Sequence, residues 1–136
     1  MFLTYSCEYI ELYAKDVLSR KTGQTDYKIS NELMNGFRHY VEGNVGMIIN
    51  EVSYANFVEY GTGVKGRNNP HPQADLEGWA YLKESGWLYW DEKHSEFRYT
   101  HGLPAYRFFY DAVVQYETLG IKKCFDRAFK EVIGAG

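Results

Sequence analysis

The chain has 136 residues, of which 45% are hydrophobic and 24% are charged, and it carries a formal net charge of −3. This size suits a single domain with one core, and the acidic balance argues against a general nucleic-acid binder, which needs clustered Lys and Arg to displace counterions. Because no apolar run is long enough to cross a bilayer and no basic leader precedes the first apolar residues, we expect a soluble cytoplasmic chain whose Cys7 and Cys124 stay reduced.

The first predicted element is an amphipathic helix over residues 4–21. Apolar residues recur at helical spacing between Cys7 and Leu18, and charged residues lie between them. This is the pattern of a helix with one buried face. The basic residues near its end complement the helix dipole, so a structural role already accounts for them.

A small sheet with an inserted short helix is predicted over residues 32–63. Two apolar segments, Leu33–Val41 and Val45–Ile49, flank a Gly-Asn pair that is typical of a hairpin turn. The following residues return to helical spacing, and Gly61 and Gly63 then allow backbone angles that a residue with a Cβ resists. The sequence therefore predicts a short helix that ends abruptly.

The second half of the chain combines a loop, a hairpin and a helix. Residues 64–75, VKGRNNPHPQAD, predict an exposed mobile loop because prolines, asparagines and a glycine dominate the segment. Aromatic residues on both sides of an Asp-Glu-Lys-His-Ser turn predict a hairpin over residues 86–100. A closing helix is predicted over residues 104–133, with Pro104 in its first turn and a bend near Gly120.

These elements predict an α+β fold in one domain, residues 1–136. An N-terminal helix precedes a small, mostly antiparallel sheet with a short inserted helix, and a long C-terminal helix packs on the sheet.

No segment carries a complete signature of catalysis or cofactor binding. The segment GTGVKG lacks the Gly-Lys-Ser/Thr ending of a phosphate-binding loop, and the four histidines show neither HxxxH nor HxH spacing. We expect His71 and His94 to be exposed, and Glu59, the most interesting carboxylate, to lie at a helix end beside a basic neighbour. We therefore predict no metal, no cofactor and no enzymatic activity.

Two alternatives stay open at this point. A small metal-dependent hydrolase would use His71, His94 or His101. A carbohydrate- or ligand-binding module would use an aromatic platform made of the three tryptophans, Trp79, Trp87 and Trp90.

Two separated segments, taken together, resemble a known family. YANFVEYGTG at 54–63 and GLPAYRFFYDA at 102–112 are similar to the paired segments of the head-tail joining and tail-completion (neck) family of long-tailed bacteriophages. The matching positions are Tyr54, Ala55, Val58, Glu59, Tyr60, Gly61 and Thr62 in the first segment and Pro104, Ala105, Phe108 and Ala112 in the second. The segment after the first helix departs from the family pattern, which leaves the register of the first strand open.

The resemblance implies a structural virion protein of a phage or prophage. Its partners would be other copies of itself in a ring and portal, adaptor or tail-tube proteins, with no specific nucleic acid and no membrane. Its location would be the host cytoplasm during assembly and then the virion, at the head-tail junction or tail terminus. The predicted interface residues are Tyr54, Glu59, Tyr60, Gly61, Thr62, Gly63, Arg67, Asn68 and His71.

Overall fold

The fold combines helices with two antiparallel hairpins, which confirms the α+β prediction. The structure is a computed structural model that describes residues 1–22, 31–74, 87–91, 95–100 and 102–135. Contacts divide the chain into two compact units, one formed by Met1–Val52 with Phe108–Gly136 and the other by Ser53–Arg107. Compact units can be parts of one domain, so the single-domain interpretation stays a prediction.

Among the described residues, the first unit contains four helices, one hairpin and one irregular helical turn. Its elements are α1 (Phe2–Thr22), α2 (Asn31–Asn35), β1 (Phe37–Glu42), β2 (Val45–Asn50), α5 (Phe108–Gln115), a π-helical turn (Tyr116–Gly120) and α6 (Ile121–Ala135). The predicted N-terminal helix is confirmed, and its buried face contains Cys7, Ala14, Val17 and Leu18. Helix α1 contacts both strands and also packs on α5 and α6, so it provides the core of this unit.

The hairpin predicted around the Gly-Asn pair is confirmed. Strands β1 and β2 pair in the antiparallel sense from Phe37 opposite Asn50 to Glu42 opposite Val45, and Gly43 in the turn has a φ of 58°. The predicted start of the first segment was wrong, because Leu33 lies in α2 and its side chain is fully buried. The side-chain amide of Asn50 donates to the Leu33 carbonyl at 2.9 Å, which fixes a helical turn before the strand.

The C-terminal helix begins later than the sequence predicted. It starts at Phe108, whereas Pro104 and the three residues after it are not helical. Backbone N–H groups of residues 105–107 bond to acceptors elsewhere in the second unit, and Arg107 has a φ of 53°, which a right-handed helix does not contain. At the predicted bend near Gly120 the chain forms the π-helical turn.

Polar contacts join α1 to the C-terminal helix along its length. The Tyr5 hydroxyl donates to the Glu131 carboxylate, and the Arg127 guanidinium lies 3.7 Å from the centre of the Tyr5 ring. Near the other end of α1, Lys21 pairs with Asp111 at 3.1 Å. The two ends of α1 are thus held on α6 and α5.

Both cysteines are free thiols in the buried interior of this unit, as the sequence predicted. Burial raises the pKa of the Cys7 thiol and of the Cys124 thiol. A raised thiol pKa lowers the fraction of reactive thiolate, so both side chains act as small core residues.

The described part of the second unit contains two short helices, the two strands of the aromatic hairpin and a two-residue strand. Its elements are α3 (Ala55–Tyr60), α4 (Gly63–Asn68), β3 (Trp87–Asp91), β4 (Glu96–Thr100) and the two-residue strand β5 (Gly102–Leu103). The predicted aromatic hairpin is confirmed in its strands, which pair from Trp87 opposite Thr100 to Asp91 opposite Glu96.

Candidate functional site

Helix α3 is short and ends at a glycine that has an unusual backbone conformation. Ala55, Val58 and Glu59 form its buried face. Gly61 donates its N–H to the Phe57 carbonyl at 2.8 Å and has φ 81° and ψ 172°, a combination found almost only in glycine. The predicted abrupt end is therefore confirmed at Gly61, whereas Gly63 is the first residue of α4.

The two segments that carry the family resemblance are in contact with each other. Thr62 and Leu103 form an antiparallel bridge, and the N–H of Tyr106 donates to the Val58 carbonyl at 2.9 Å. The N–H of Arg107 donates to the Glu59 carbonyl at 3.2 Å. We call this set of contacts, residues 58–62 with 103–107, the motif joint.

Gly61 lies at the tightest point of the motif joint. A Cβ added to Gly61 would lie 2.6 Å from the Leu103 carbonyl oxygen and 2.8 Å from the Ala105 nitrogen. It would also lie 3.0 Å from the Cα of Gly66 in α4. Two separate parts of the backbone, residues 103–105 and α4, thus approach one residue that has no side chain.

The predicted mobile loop at residues 64–75 was wrong over its first part, which is helical. Residues 63–68 form α4, and the N–H of Asn69 donates to the Lys65 carbonyl at 3.2 Å. The Asn69 carbonyl in turn accepts from the N–H of Ala105 at 3.3 Å. The two glycines in α4 give it a low intrinsic helix propensity, so close packing on Gly61 and the bond from Ala105 account for the helix.

Glu59 and His71 form a buried pair beside the motif joint. His71 Nε2 lies 3.1 Å from Glu59 Oε1, and the two residues are only 3% and 6% exposed. The N–H of Gln73 donates to His71 Nδ1 at 2.9 Å, so the ring proton lies on Nε2 and is donated to the Glu59 carboxylate. The Tyr60 ring covers the imidazole, with 4.3 Å between ring centres.

The sequence expectation for His71 was wrong: it was expected to be exposed because it lies between two prolines, but it is buried. Glu59 was expected to be an exposed or end-of-helix residue that pairs with a basic neighbour. It lies in the last turn of α3 and pairs with His71, but it is buried. Both are buried because each provides the other with a hydrogen-bonding partner that an apolar interior does not supply. The pair fixes residues 69–74 on α3, and its burial favours a structural role over proton transfer to a substrate.

The predicted interface residues differ in how far they reach solvent. Tyr60 and Asn68 are exposed, and Tyr54, Thr62 and Arg67 are half-buried. Glu59, Gly61 and His71 are buried. The structure thus brings these residues together around α3 and α4, and Tyr60 and Asn68 present the largest accessible surface among the side chains described.

Sequence reasoning missed the role of residues 103–107 as the partner of α3. Tyr106 is 1% exposed, and its backbone N–H donates to the Val58 carbonyl of α3. The signal available in the sequence was that both segments resemble the same family. That resemblance did not indicate that the two segments touch each other.

Other predicted candidates lie outside the described residues. These are His94, His101 and Trp79, together with the side chains of Trp87 and Trp90. Within the ranges that the structure describes, no group of three or more His, Cys, Asp or Glu side chains is placed to hold a metal ion. In the same ranges, no helix combines the length and apolar character needed to cross a membrane.

Compared with protein-family models, curated proteins and solved structures, the chain matches none. The resemblance of the two motif segments to the phage family therefore depends on the residues themselves.

Proposed function

We propose that this chain is a structural virion assembly protein of a phage or prophage, acting as a head-tail connector (neck) or tail-completion subunit. It acts through protein-protein contacts and has no enzymatic activity. Its partners are other copies of itself in a ring and portal, adaptor or tail-tube proteins. It functions first in the host cytoplasm and then in the virion.

The motif joint is the observation that carries this proposal. The two segments that resemble the family are far apart in sequence, yet they bond to each other through the backbone of residues 58–62 and 103–107. Backbone bonds depend little on side-chain identity, except where a side chain would block the approach of the two segments. Gly61 in particular permits the close approach of Leu103 and Ala105. A joint of this kind supports a docking surface and needs no catalytic group.

The proposed docking surface is formed by residues that lie on or beside the motif joint. The buried pair of Glu59 and His71 fixes residues 69–74, and α4 packs on Gly61. Tyr60 and Asn68 are exposed on this support. Side chains whose positions are already fixed before binding lose less conformational entropy when they bind. Tyr is also enriched at protein interfaces. These properties suit a subunit that joins preformed assemblies.

The test uses the phage or prophage that encodes the chain. Deleting the gene is expected to give heads and tails that remain separate in electron micrographs, with loss of infectious titre. Wild-type chain supplied in trans restores both. The double substitution Tyr60→Ala and Asn68→Ala is expected to reduce the restored titre because it removes exposed contact surface. Tyr60 also covers the His71 ring, so circular dichroism of the purified variant checks that it is folded.

The control is Glu42→Ala, an exposed residue of the β1–β2 hairpin, which is expected to restore titre fully. Deleting residues 65–73 would not serve as a test, because it would remove the buried His71 and the Asn69 carbonyl that accepts from Ala105. Joined and infectious particles without the chain would overturn the proposal.

A further inference from the structure

Helix α6 exposes a continuous row of large apolar side chains. They recur at intervals of three or four residues, so they lie on one side of the helix. We call them the apolar stripe: Ile121 (42% exposed), Phe125 (56%), Phe129 (54%), Val132 (70%) and Ile133 (61%). The Phe125 and Phe129 rings stack with 6.1 Å between their centres, so the row is continuous at its middle.

The other side of α6 is already packed on α1. Cys124 is buried, Glu131 accepts a hydrogen bond from Tyr5, and Arg127 lies over the Tyr5 ring. Phe125 also makes an edge contact with the Phe2 ring of α1, with 6.3 Å between ring centres, but it is still 56% exposed. Most of the apolar stripe therefore lies off the face that packs on α1.

The stripe is large enough to matter for association. Given the exposed fractions of its five side chains, it presents roughly 550 Å² of apolar surface, at the upper end of the largest patches on monomeric proteins. Two such stripes in contact would bury about 1,100 Å² from these side chains alone, and flanking residues would add to this area. That total lies just below the roughly 1,200 Å² at which stable specific interfaces begin, in the size range of weak associations.

Charged side chains beside the stripe indicate which partner would fit against it. Asp126 and Lys130 are both exposed and lie one helical turn apart. The stripe is centred on Ala128, and Asp126 and Lys130 lie at equal distances on either side of that residue. If a second α6 runs antiparallel about a two-fold axis beside Ala128, the two stripes overlap over residues 123–133. Each Asp126 is then level with Lys130 of the partner subunit.

We propose that the apolar stripe packs against the same stripe of a second copy of this chain, antiparallel and around a two-fold axis beside Ala128. The arrangement is self-complementary, as a two-fold interface requires. Two symmetric pairs, each between Asp126 and Lys130 of the partner subunit, flank its apolar centre. In the same register Lys122 approaches the C-terminal turn of the partner helix, where the helix dipole favours a cation.

This inference goes beyond the proposed function. The proposed docking surface lies in residues 53–107, whereas α6 belongs to the other unit. The dimer is a property of the free chain and is measured without phage particles, so the two proposals can fail independently.

The first test measures the oligomeric state of the purified chain. Sedimentation equilibrium from about 1 to about 100 µM is expected to show a monomer-dimer equilibrium, because interfaces of this small size are often weak. The double substitution Phe125→Glu and Phe129→Glu is expected to raise the dimer Kd at least 100-fold, because it places charges in the apolar centre. Circular dichroism should be unchanged, since both side chains are exposed.

The matched control is Val45→Glu with Met47→Glu, two exposed apolar residues on the β1–β2 hairpin. It is expected to leave the dimer Kd within about twofold of wild type, because it alters an equal number of exposed apolar side chains outside the stripe.

A charge exchange tests the register. Asp126→Lys or Lys130→Asp alone is expected to weaken the dimer about tenfold, because each converts two attractive pairs into repulsive ones. The double exchange is expected to restore the Kd to within about threefold of wild type. A chain that stays monomeric at every concentration would overturn the proposal, as would a dimer that survives the Phe125 and Phe129 substitutions. Charge exchanges without effect, or binding to anionic lipid vesicles by a chain that is monomeric in water, would also overturn it.

Discussion

Gly61 holds a backbone conformation in which a side chain has no room. We expect Gly61→Ala to reduce the free energy of unfolding by at least about 3 kcal/mol. The backbone strain contributes about 1–3 kcal/mol, and the new Cβ would also lie 2.6 Å from the Leu103 oxygen. Urea unfolding followed by circular dichroism measures the change.

Gly43→Ala is the matched control for strain without crowding. Gly43 has a φ of 58°, but no atom lies within 4 Å of a Cβ added there. Its expected loss is about 1 kcal/mol. Equal losses for the two substitutions would show that the close approach at the motif joint is unimportant.

The buried pair of His71 and Glu59 supports a second prediction at the residue scale. His71→Ala removes a hydrogen-bond donor from a buried carboxylate, and the expected loss of unfolding free energy is about 2–4 kcal/mol. His39 bonds to Glu11 at 2.8 Å but lies closer to solvent, so His39→Ala should cost less than about 1 kcal/mol. Chemical denaturation of both variants tests this difference, and a smaller loss for His71→Ala would contradict it.

The tautomer of His71 is open to direct measurement. Nitrogen chemical shifts should show the ring proton on Nε2, because Nδ1 accepts the Gln73 N–H. Glu59→Gln keeps an oxygen acceptor for that proton, so its loss should be smaller than that of Glu59→Ala. Equal losses would mean that the hydrogen bond contributes little.

Single residues differ in how well sequence alone predicted them. The break at Gly61 was predictable because glycines after a helical pattern allow backbone angles that end a helix. The burial of His71 was not, because it depends on Glu59 reaching it across twelve positions. The local sequence was therefore enough to predict the break at Gly61. Which side chains around it are exposed to solvent depends on tertiary contacts.

Elements that follow from local pattern were predicted well, and elements held by distant backbone bonds were not. Helix α1 and the β1–β2 hairpin depend on apolar spacing and on one Gly-Asn turn. Helix α4 and the late start of α5 depend on bonds that residues 105–107 make to distant parts of the chain. No periodicity in the segments themselves encodes those bonds.

The π-helical turn before α6 provides a prediction at the element scale. A Cβ on Gly120 would lie 2.5 Å from the Tyr9 ring, and that ring stacks on Tyr13 with 4.7 Å between centres. We expect Gly120→Ala to reduce the free energy of unfolding by about 1–3 kcal/mol through overpacking, although Ala is the better helix former.

Gly134→Ala in α6 should change the free energy of unfolding in the opposite direction. A Cβ added to Gly134 meets open space, so stability should rise by up to about 1 kcal/mol. Thermal and urea unfolding of the two variants compare them directly. Stabilisation by both would show that the Tyr9 ring moves aside without cost.

The whole molecule consists of two compact units connected twice along the chain, after Val52 and before Phe108. If they form one domain, they should unfold in a single cooperative transition. All three tryptophans lie in residues 53–107, so their fluorescence reports on that unit. Far-UV circular dichroism reports mainly on α1, α5 and α6. We expect the two signals to have the same urea midpoint, and separate midpoints would show independently folding parts.

The packing of α1 on α5 also determines when the first unit can close during synthesis. Helix α1 ends at Thr22 and α5 begins at Phe108. At ribosomal speeds of about 5–20 residues per second, roughly 4 to 17 seconds separate their translation. Through that interval the apolar face around Ala14 and Leu18 has no helical partner from α5. Until α5 has been made, that apolar face is therefore open to aggregation or to chaperone binding.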